Sequence, residues 1–319
     1  MRTTFSDPRR ASFDVEEAIA QMQSCGVVGR TEELRKLLIA WKLGRHVLVE
    51  GEVGVGKTTL AQAVSCFFGT TFVRVDGSED LLPHALVGYF DPPTVIRDGY
   101  VEEAFVEGAL AKAMREGGCL FVNEINRMPE NTQNLLLTAL DEGTLDRPRL
   151  EPVRAADGFW VVATQNPEAH IGVTALGEAL KDRFAWVKLD HQSEAEEVQI
   201  VTQAAGLEPK QLDVARLAVA MVRASRVHPD LRRGASVRGA IDLALFVTEF
   251  LSNGIETRRA WEEAAITSLA TKVELEDGVT RTREEVLSEL VRATLSSDPR
   301  QWASRRDPAA MNPSTDRIG

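Results

Sequence analysis

Leu48-Val49-Glu50-Gly51-Glu52-Val53-Gly54-Val55-Gly56-Lys57-Thr58-Thr59-Leu60 is the stretch on which the reading of this chain turns. Gly51 to Thr58 fits the phosphate-loop pattern G-x-x-x-x-G-K-[ST] without a mismatch. His46-Val47-Leu48-Val49 before it reads as a buried parallel strand. Thr59-Leu60-Ala61-Gln62-Ala63-Val64 after it reads as a helix. The backbone from Gly51 through Glu52, Val53, Gly54, Val55 and Gly56 would curl so that successive N–H groups point at a phosphate. The helix N-terminus, with Thr58 and Thr59 in its first turn, adds a positive dipole end. Lys57 would reach the β- and γ-phosphates, and the Thr58 hydroxyl would ligate Mg²⁺. A Gly-rich strand-to-helix turn with an incidental lysine is the competing reading. Strand, loop and helix in the right order weigh against it.

Working outward, the 319 residues suffice for one large domain or two ordinary ones. Apolar residues make up 44% and charged residues 27%, the balance of a soluble globular protein. A net charge of −11 argues against broad nucleic-acid binding, which needs a basic face, though a local basic patch stays open. No transmembrane run is present, and Met1 to Pro8 lacks the apolar core of a signal peptide. Cys25, Cys66 and Cys119 are odd in number and far apart. Cys66 and Cys119 lie in apolar sequence and are expected to be buried reduced thiols. The expected compartment is the cytoplasm.

Taken in order, residues 1–26 form a polar, mobile start and a helical extension over Phe13 to Gln23, with Asp14, Glu16 and Glu17 in its first turn. Thr31 caps or opens a helix through Leu34, Leu37, Leu38 and Trp41 that stops at Gly44. Strands are expected at Val47–Val49, Thr71–Val75, Cys119–Val122, Gly158–Ala163 and Phe184–Leu189. Helices are expected after the phosphate loop to about Phe68, at Ala104–Glu116, at Asn131–Glu142 and, briefly, at Leu176–Lys181. The proline- and glycine-marked segment Leu81–Gly99 reads as loop or hairpin. Leu145–Asp157 reads as a charged hairpin. Strands alternating with helices over residues 27–190 mean a parallel sheet covered on both faces. From 191 to 296 only helical spacing is convincing: Ser193–Gln203, Leu212–Val227, Ser236–Leu251, Arg258–Leu269 and Arg283–Thr294. Residues 297–319 read as a mobile polar tail.

Four further elements follow the loop. Phe121-Val122-Asn123-Glu124-Ile125-Asn126-Arg127 ends the third strand, and ligands of such sheets lie beyond the carboxyl ends of strands. Glu124 is there to orient and activate a water against the γ-phosphate; a helix-capping or solvated Glu is the plain alternative. Asn123 can accept from a metal-bound water but brings no negative charge. Asn166, after Val161-Val162-Ala163-Thr164-Gln165, is the candidate for sensing the γ-phosphate or holding the water, against a loop-capping role. Arg183, in Lys181-Asp182-Arg183-Phe184, is the candidate to complete a neighbour's site, with Lys181 as rival and a salt bridge to Asp182 or a neighbouring acid as alternative. Arg238, in Gly234-Ala235-Ser236-Val237-Arg238, lies in the first turn of a helix that Ser236 would cap. A cation there opposes the helix dipole and points to an anionic partner, with Arg232 and Arg233 as competitors.

In this order the five elements resemble the AAA+ ATPases, most closely the MoxR family, over roughly Val27 to Leu251. The closest motifs are Asn123-Glu124-Ile125-Asn126-Arg127-Met128-Pro129, Ala163-Thr164-Gln165-Asn166-Pro167, Leu180-Lys181-Asp182-Arg183-Phe184 and Gly234-Ala235-Ser236-Val237-Arg238. The family usually has D-E-I-N-R and G-A-S-P-R, so Asn123 and Val237 depart from it. The resemblance implies a P-loop NTPase fold of the α/β class, a parallel sheet sandwiched by helices and followed by a smaller all-α lid domain. It implies Walker A at Gly51–Thr58, Walker B ending at Asn123-Glu124, sensor 1 at Asn166, an arginine finger at Arg183 and sensor 2 at Arg238. It makes residues 81–100 the helix-2 insert and 145–157 the pre-sensor hairpin. It also implies a hexameric ring that hydrolyses ATP with Mg²⁺ and remodels or matures a protein partner, often one carrying a von Willebrand factor A domain.

Two other functions stay in play. A nucleotide-controlled assembly switch with weak hydrolysis is favoured by Asn123. A DNA-associated motor is disfavoured by the acidic balance, and salt-sensitive DNA binding would revive it. A small-molecule kinase fits the helical second domain and the two arginines poorly. No N-K-x-D motif points to GTP. Val28 is a weak candidate for the base pocket.

Overall fold

The computed structural model describes residues 13–166 and 176–296. The expected mobile start and tail (residues 1–12 and 297–319) and Pro167 of the sensor-1 motif lie outside them. The chain divides between Asp190 and His191 into two compact units, each described by itself.

The first unit is a five-stranded parallel sheet in the order β2 (Phe72–Asp76), β5 (Cys119–Asn123), β8 (Trp160–Gln165), β1 (His46–Gly51), β9 (Phe184–Leu189). Its central strands are nearly continuous apolar runs because both faces are covered. Strand periodicity sorts their side chains onto two cores. Val47, Val49, Phe121, Trp160, Val162, Val187 and Leu189 pack under α1 (Val15–Ser24), α2 (Thr31–Lys42) and α3 (Lys57–Phe67). Leu48, Leu120, Val122, Val161 and Ala163 pack on the other face. There they meet Leu86 of α4 (Pro83–Val87), Leu110 of α6 (Ala109–Glu116), Leu136 of α7 (Glu130–Glu142) and Leu180 of α8 (Glu178–Lys181). Three layers result, helix–sheet–helix. Asp14 caps α1 by accepting the Glu16 and Glu17 amides, and Ala18, Ile19 and Met22 put that helix into the core beside Leu34, Leu37 and Trp41.

Three local readings are corrected. Leu81–Gly99 is not loop or hairpin alone. It holds α4, β3 (Gly88–Phe90) and α5 (Pro92–Asp98), and β3 pairs antiparallel with β4 (Phe105–Glu107). Its prolines open helices instead of breaking them. Pro83 and Pro92 stand at the first turn, where a missing N–H is harmless, and the Asp91 carboxylate caps α5 through Thr94. Residues 104–108 are not α-helical: a 3₁₀ turn ends at Ala104, β4 takes Phe105–Glu107, and α6 starts only at Ala109. Cys66 is exposed; Cys119 is buried, and burial pushes its thiol well above the usual range.

The hairpin of β6 (Thr144–Arg147) and β7 (Leu150–Arg154) forms as expected. It is fastened to the insert. Arg147 pairs with Glu102 and lies over the Phe105 ring, while Arg149 sits 4.0 Å over Tyr100.

The second unit packs α9 (Glu194–Ala204), α10 (Leu212–Arg226), α11 (Val237–Ser252), α12 (Thr257–Leu269) and α13 (Arg283–Leu295) around Val201, Val219, Leu243, Trp261 and Leu287. Ser193 with Glu196, and Thr282 with Glu285, form capping boxes that fix the starts of α9 and α13. Ser236 stands at the N-cap of α11 but makes no capping bond. The unit also holds a short ribbon, β10 (Leu231–Arg233) with β11 (Glu274–Leu275). Three residues opposite two, with a register shift, leave little alternation for a sequence to display.

Candidate nucleotide site

The phosphate loop leaves β1 at Gly51 and ends at Gly56, the N-cap of α3. Gly54 and Gly56 adopt φ of 86° and 95°, a region closed to most side chains. Val55 is buried in the core and anchors the loop from below, whereas Val53 is exposed. Gly56 has no side chain to accept the first amides of α3, so those N–H groups are left for an anion. The Lys57 ammonium folds back over the loop and donates to Gly51 O (2.6 Å) and Glu52 O (2.8 Å). Burial lowers its pKa; the charges of Glu124 and Glu52 oppose that shift. Thr58 is half-buried and Thr59 exposed. Uncapped first-turn amides, two glycines of positive φ and one cation make a donor set that fits phosphates.

Beyond β5, Glu124 adopts φ 53°, ψ 53°, an uncommon conformation for a non-glycine residue. A side-chain chain holds it there. The Glu124 amide donates to Thr164 Oγ1 (3.0 Å), Thr164 Oγ1 donates to Asn123 Oδ1 (3.1 Å), and Asn123 Nδ2 donates to Asp76 Oδ1 (2.9 Å). Asp76 in turn pairs with Arg74, whose guanidinium and then the Asn123 amide keep its carboxyl below the usual range. From the β2 side Gly77 lies against Glu124: a Cβ at Gly77 would meet Glu124 O at 2.2 Å. The Glu124 carboxylate pairs with Arg127 at 3.0 Å.

Asn166 follows β8, the strand between β5 and β1, so Lys57, Glu124 and Asn166 belong to the carboxyl ends of three adjacent strands. Gln165 beside it donates to Glu50. Val28 is buried. Arg183 stands elsewhere. It precedes β9, whose Phe184 pairs with His46 while its Leu189 pairs with Gly51. At ~3.3 Å per residue Phe184, the residue after Arg183, lies about 17 Å along the sheet from the loop. Its guanidinium is held by Asp141 of α7 and by Ala179 O. Arg238 is exposed in the first turn of α11, in the second unit.

Sequence reasoning missed Asp76, Thr164 and Arg30. Thr164 had a signal, a hydroxyl ending the aliphatic run Val161–Ala163. Arg30 is 8% exposed and donates to Val55 O and Asp190 O. Nothing in Val27-Val28-Gly29-Arg30 announces that.

Residues 46–184 match the AAA domain, dynein-related subfamily. A Bacillus subtilis strain 168 protein, YojN, is 33% identical over 237 residues, 73% of this chain and 75% of its own length. The chain belongs to the AAA family. A Staphylococcus haemolyticus relative is 36% identical over 153 residues, 47% of this chain and 57% of that protein. In fold the AAA chain is similar to a RuvB variant from Thermotoga maritima, with TM-score 0.51, 20% identity, and 76% and 71% of the two chains covered. The chain is thus a P-loop NTPase with a nucleotide-binding domain of AAA type. Among the described residues no helix is long and apolar enough to cross a membrane. Nor do three or more His, Cys, Asp or Glu side chains gather there for a metal. The half-buried Thr58 hydroxyl in the first turn of α3, beside the phosphate loop, fits Mg²⁺ held mainly through phosphates and water.

Proposed function

We propose that the chain is a MoxR-type ATPase that hydrolyses ATP in a homo-oligomeric, hexameric ring and remodels or matures a protein partner, in the cytoplasm. One observation carries the reading. The groups suited to hold and attack a phosphate lie at the carboxyl end of the sheet, and the candidate finger Arg183 directly precedes Phe184, which lies about 17 Å away at the amino end. An arginine there serves a second copy more readily than its own chain, and a neighbour's arginine makes a ring necessary.

The roles follow from the chemistry of each side chain. The loop amides and Lys57 bind the β- and γ-phosphates. Thr58 ligates Mg²⁺, which when bound offsets charge on the phosphates. The Glu124 carboxylate orients a water and accepts its proton. Its half-exposed ion pair with Arg127 contributes only about 0–1 kcal/mol, so the carboxylate is readily released. Asn166 holds the water or the γ-phosphate, and Arg183 of a neighbouring copy stabilises the charge of the transition state. Arg238 is the proposed cation of the second unit. The partner is proposed to be a protein, possessing in the MoxR manner a von Willebrand factor A domain; membrane and nucleic acid are not part of the proposal.

The test is complementation. Glu124→Gln and Arg183→Ala should each bind ATP and each fail to turn it over. Mixed, they should regain activity, since some interfaces then join an intact Glu124 to an intact Arg183. Full turnover by Arg183→Ala alone would defeat the ring reading. Capture of a protein partner on ATP-loaded Glu124→Gln tests the remodelling role. A second reading, a nucleotide switch with weak hydrolysis, is favoured by Asn123, whose amide is committed to Asp76 and Thr164. Wild-type turnover no faster than that of Glu124→Gln would select it.

A further inference from the structure

We propose that Arg30 is a positioning residue that ties the state of the phosphate loop to the backbone where the first unit ends. The inference rests on the nucleotide-binding reading above. Arg30 is buried, and one of its nitrogens, Nη2, donates to Val55 O and to Asp190 O, both at 2.8 Å. Val55 is the fifth residue of the phosphate loop. Asp190 is the last residue of the first unit. Positions far apart in sequence therefore share a single donor atom. Nη1 is held by Glu33 at 2.7 Å, a pair that neutralises the charge and fixes the plane of the guanidinium. The backbone of Arg30 is left-handed, φ 57°, which only a side chain determined from several directions sustains.

The chemistry requires arginine. A planar fork reaches two carbonyls and a carboxylate at fixed angles, whereas an ammonium is a point charge on a flexible stem. The carboxylate of Asp190 is occupied by Lys188 at 2.8 Å, so Arg30 grips the peptide backbone and not the side chain. On the other side of the division, Arg223 donates to Gln192 O at 3.1 Å and to the buried carboxylate of Glu197 at 3.1 Å. The carbonyls of residues 190 and 192 are each pinned by an arginine of their own unit, with His191 between them. When phosphate draws the loop amides inward, Val55 O turns with its peptide plane, and the shared nitrogen passes that change to Asp190 O.

The experiment is hydrogen exchange of peptides covering residues 186–193, with and without ADP, on the full chain. Wild type should show a nucleotide-dependent change in linker protection. Arg30→Lys should still bind ADP and should lose that change. A merely structural arginine would lower the melting temperature and leave the response in place. Should Arg30→Lys fail to fold, Arg30→Gln combined with Glu33→Gln leaves neither charge buried alone and is expected to show the same loss. A full linker response in the folded variant overturns this inference while the proposed function stands. So does a wild type that binds ADP without any linker response. A wild type that binds no nucleotide overturns both.

Discussion

The phosphate loop and the turn carrying Glu124 occupy the same edge of the same sheet, yet they are held by different means. The loop is shaped mostly from within, with Arg30 fastening it from outside at Val55 O. Its glycines supply the positive φ values, Lys57 bonds the carbonyls of Gly51 and Glu52, and Val55 plugs the core beneath. The Glu124 turn is shaped from outside. Its left-handed backbone is set by Thr164 from β8, by the Asp76–Asn123 pair across β2 and β5, and by the close approach of Gly77. A local code makes a loop that any sequence reader recognises. A distributed code makes a turn whose supports span 40 residues on one side and 47 on the other.

The sharpest way to break the comparison is to remove one functional group from each side. Lys57→Ala should abolish measurable binding of a fluorescent nucleotide. Glu124→Gln should keep binding and reduce turnover by about 10²–10⁴-fold, the usual worth of a general base. A variant of Glu124 that loses binding instead would mean that the two regions are not separate parts.

Glycines sharpen it further, because Gly56 and Gly77 are needed for opposite reasons. Gly56→Ala meets nothing within 4 Å and suffers only the positive φ, which for an L-residue costs about 1–2 kcal/mol. Gly77→Ala meets the Glu124 carbonyl at 2.2 Å, and backbone cannot yield as a side chain can. Its overpacking should cost about 1–3 kcal/mol in chemical denaturation, with turnover falling because Glu124 is displaced. Gly56→Ala, in contrast, should weaken nucleotide binding first.

How much of this was legible follows from the same division. The five strands, the three-layer arrangement, the hairpin and the positions of Lys57, Glu124 and Asn166 could be read because each is written in a short contiguous pattern. The insert was misread because proline was taken as a breaker, when Pro83, Pro92 and Pro93 sit in the first turns of helices. Cys66 was misread because its apolar neighbours belong to the buried face of α3 and it does not. Asp76, Thr164 and Arg30 were passed over because single polar residues carry no period; their meaning lies in partners from 25 to 160 positions away.

Thr164→Val probes the middle of the distributed code. The side chain is fully buried, and its hydroxyl both accepts from the Glu124 amide and donates to Asn123. Valine keeps the shape and leaves that part-buried amide without its partner, which should cost about 1 kcal/mol or somewhat more. Thermal denaturation and turnover should fall together. Unchanged turnover with lowered stability would mean that the turn holds its shape without Thr164.

The smallest effect is expected at Asn123, and it decides what an amide at that place means. Introducing an acid with Asn123→Asp would set a second carboxylate beside Asp76, where an amide now donates at 2.9 Å. Like charges so placed raise one another's pKa. Arg74 already pairs with Asp76 and the pair is half-exposed, so the penalty should be near ~1 kcal/mol, the upper range for exposed charge pairs. Asp76→Asn alone should be milder, since an amide oxygen still accepts from Asn123. Combined with Asn123→Asp it should recover most of the loss, because an amide again faces a carboxylate across β2 and β5. The double-mutant cycle then gives a favourable coupling. Mg²⁺ titration of nucleotide binding in the four proteins separates two meanings of Asn123. Tighter Mg²⁺ dependence only in the double variant would mean that Asp76 had prevented a gain of charge at position 123. Equal dependence in all four would mean that Asn123 supports the turn at Glu124 and does not contribute to the metal.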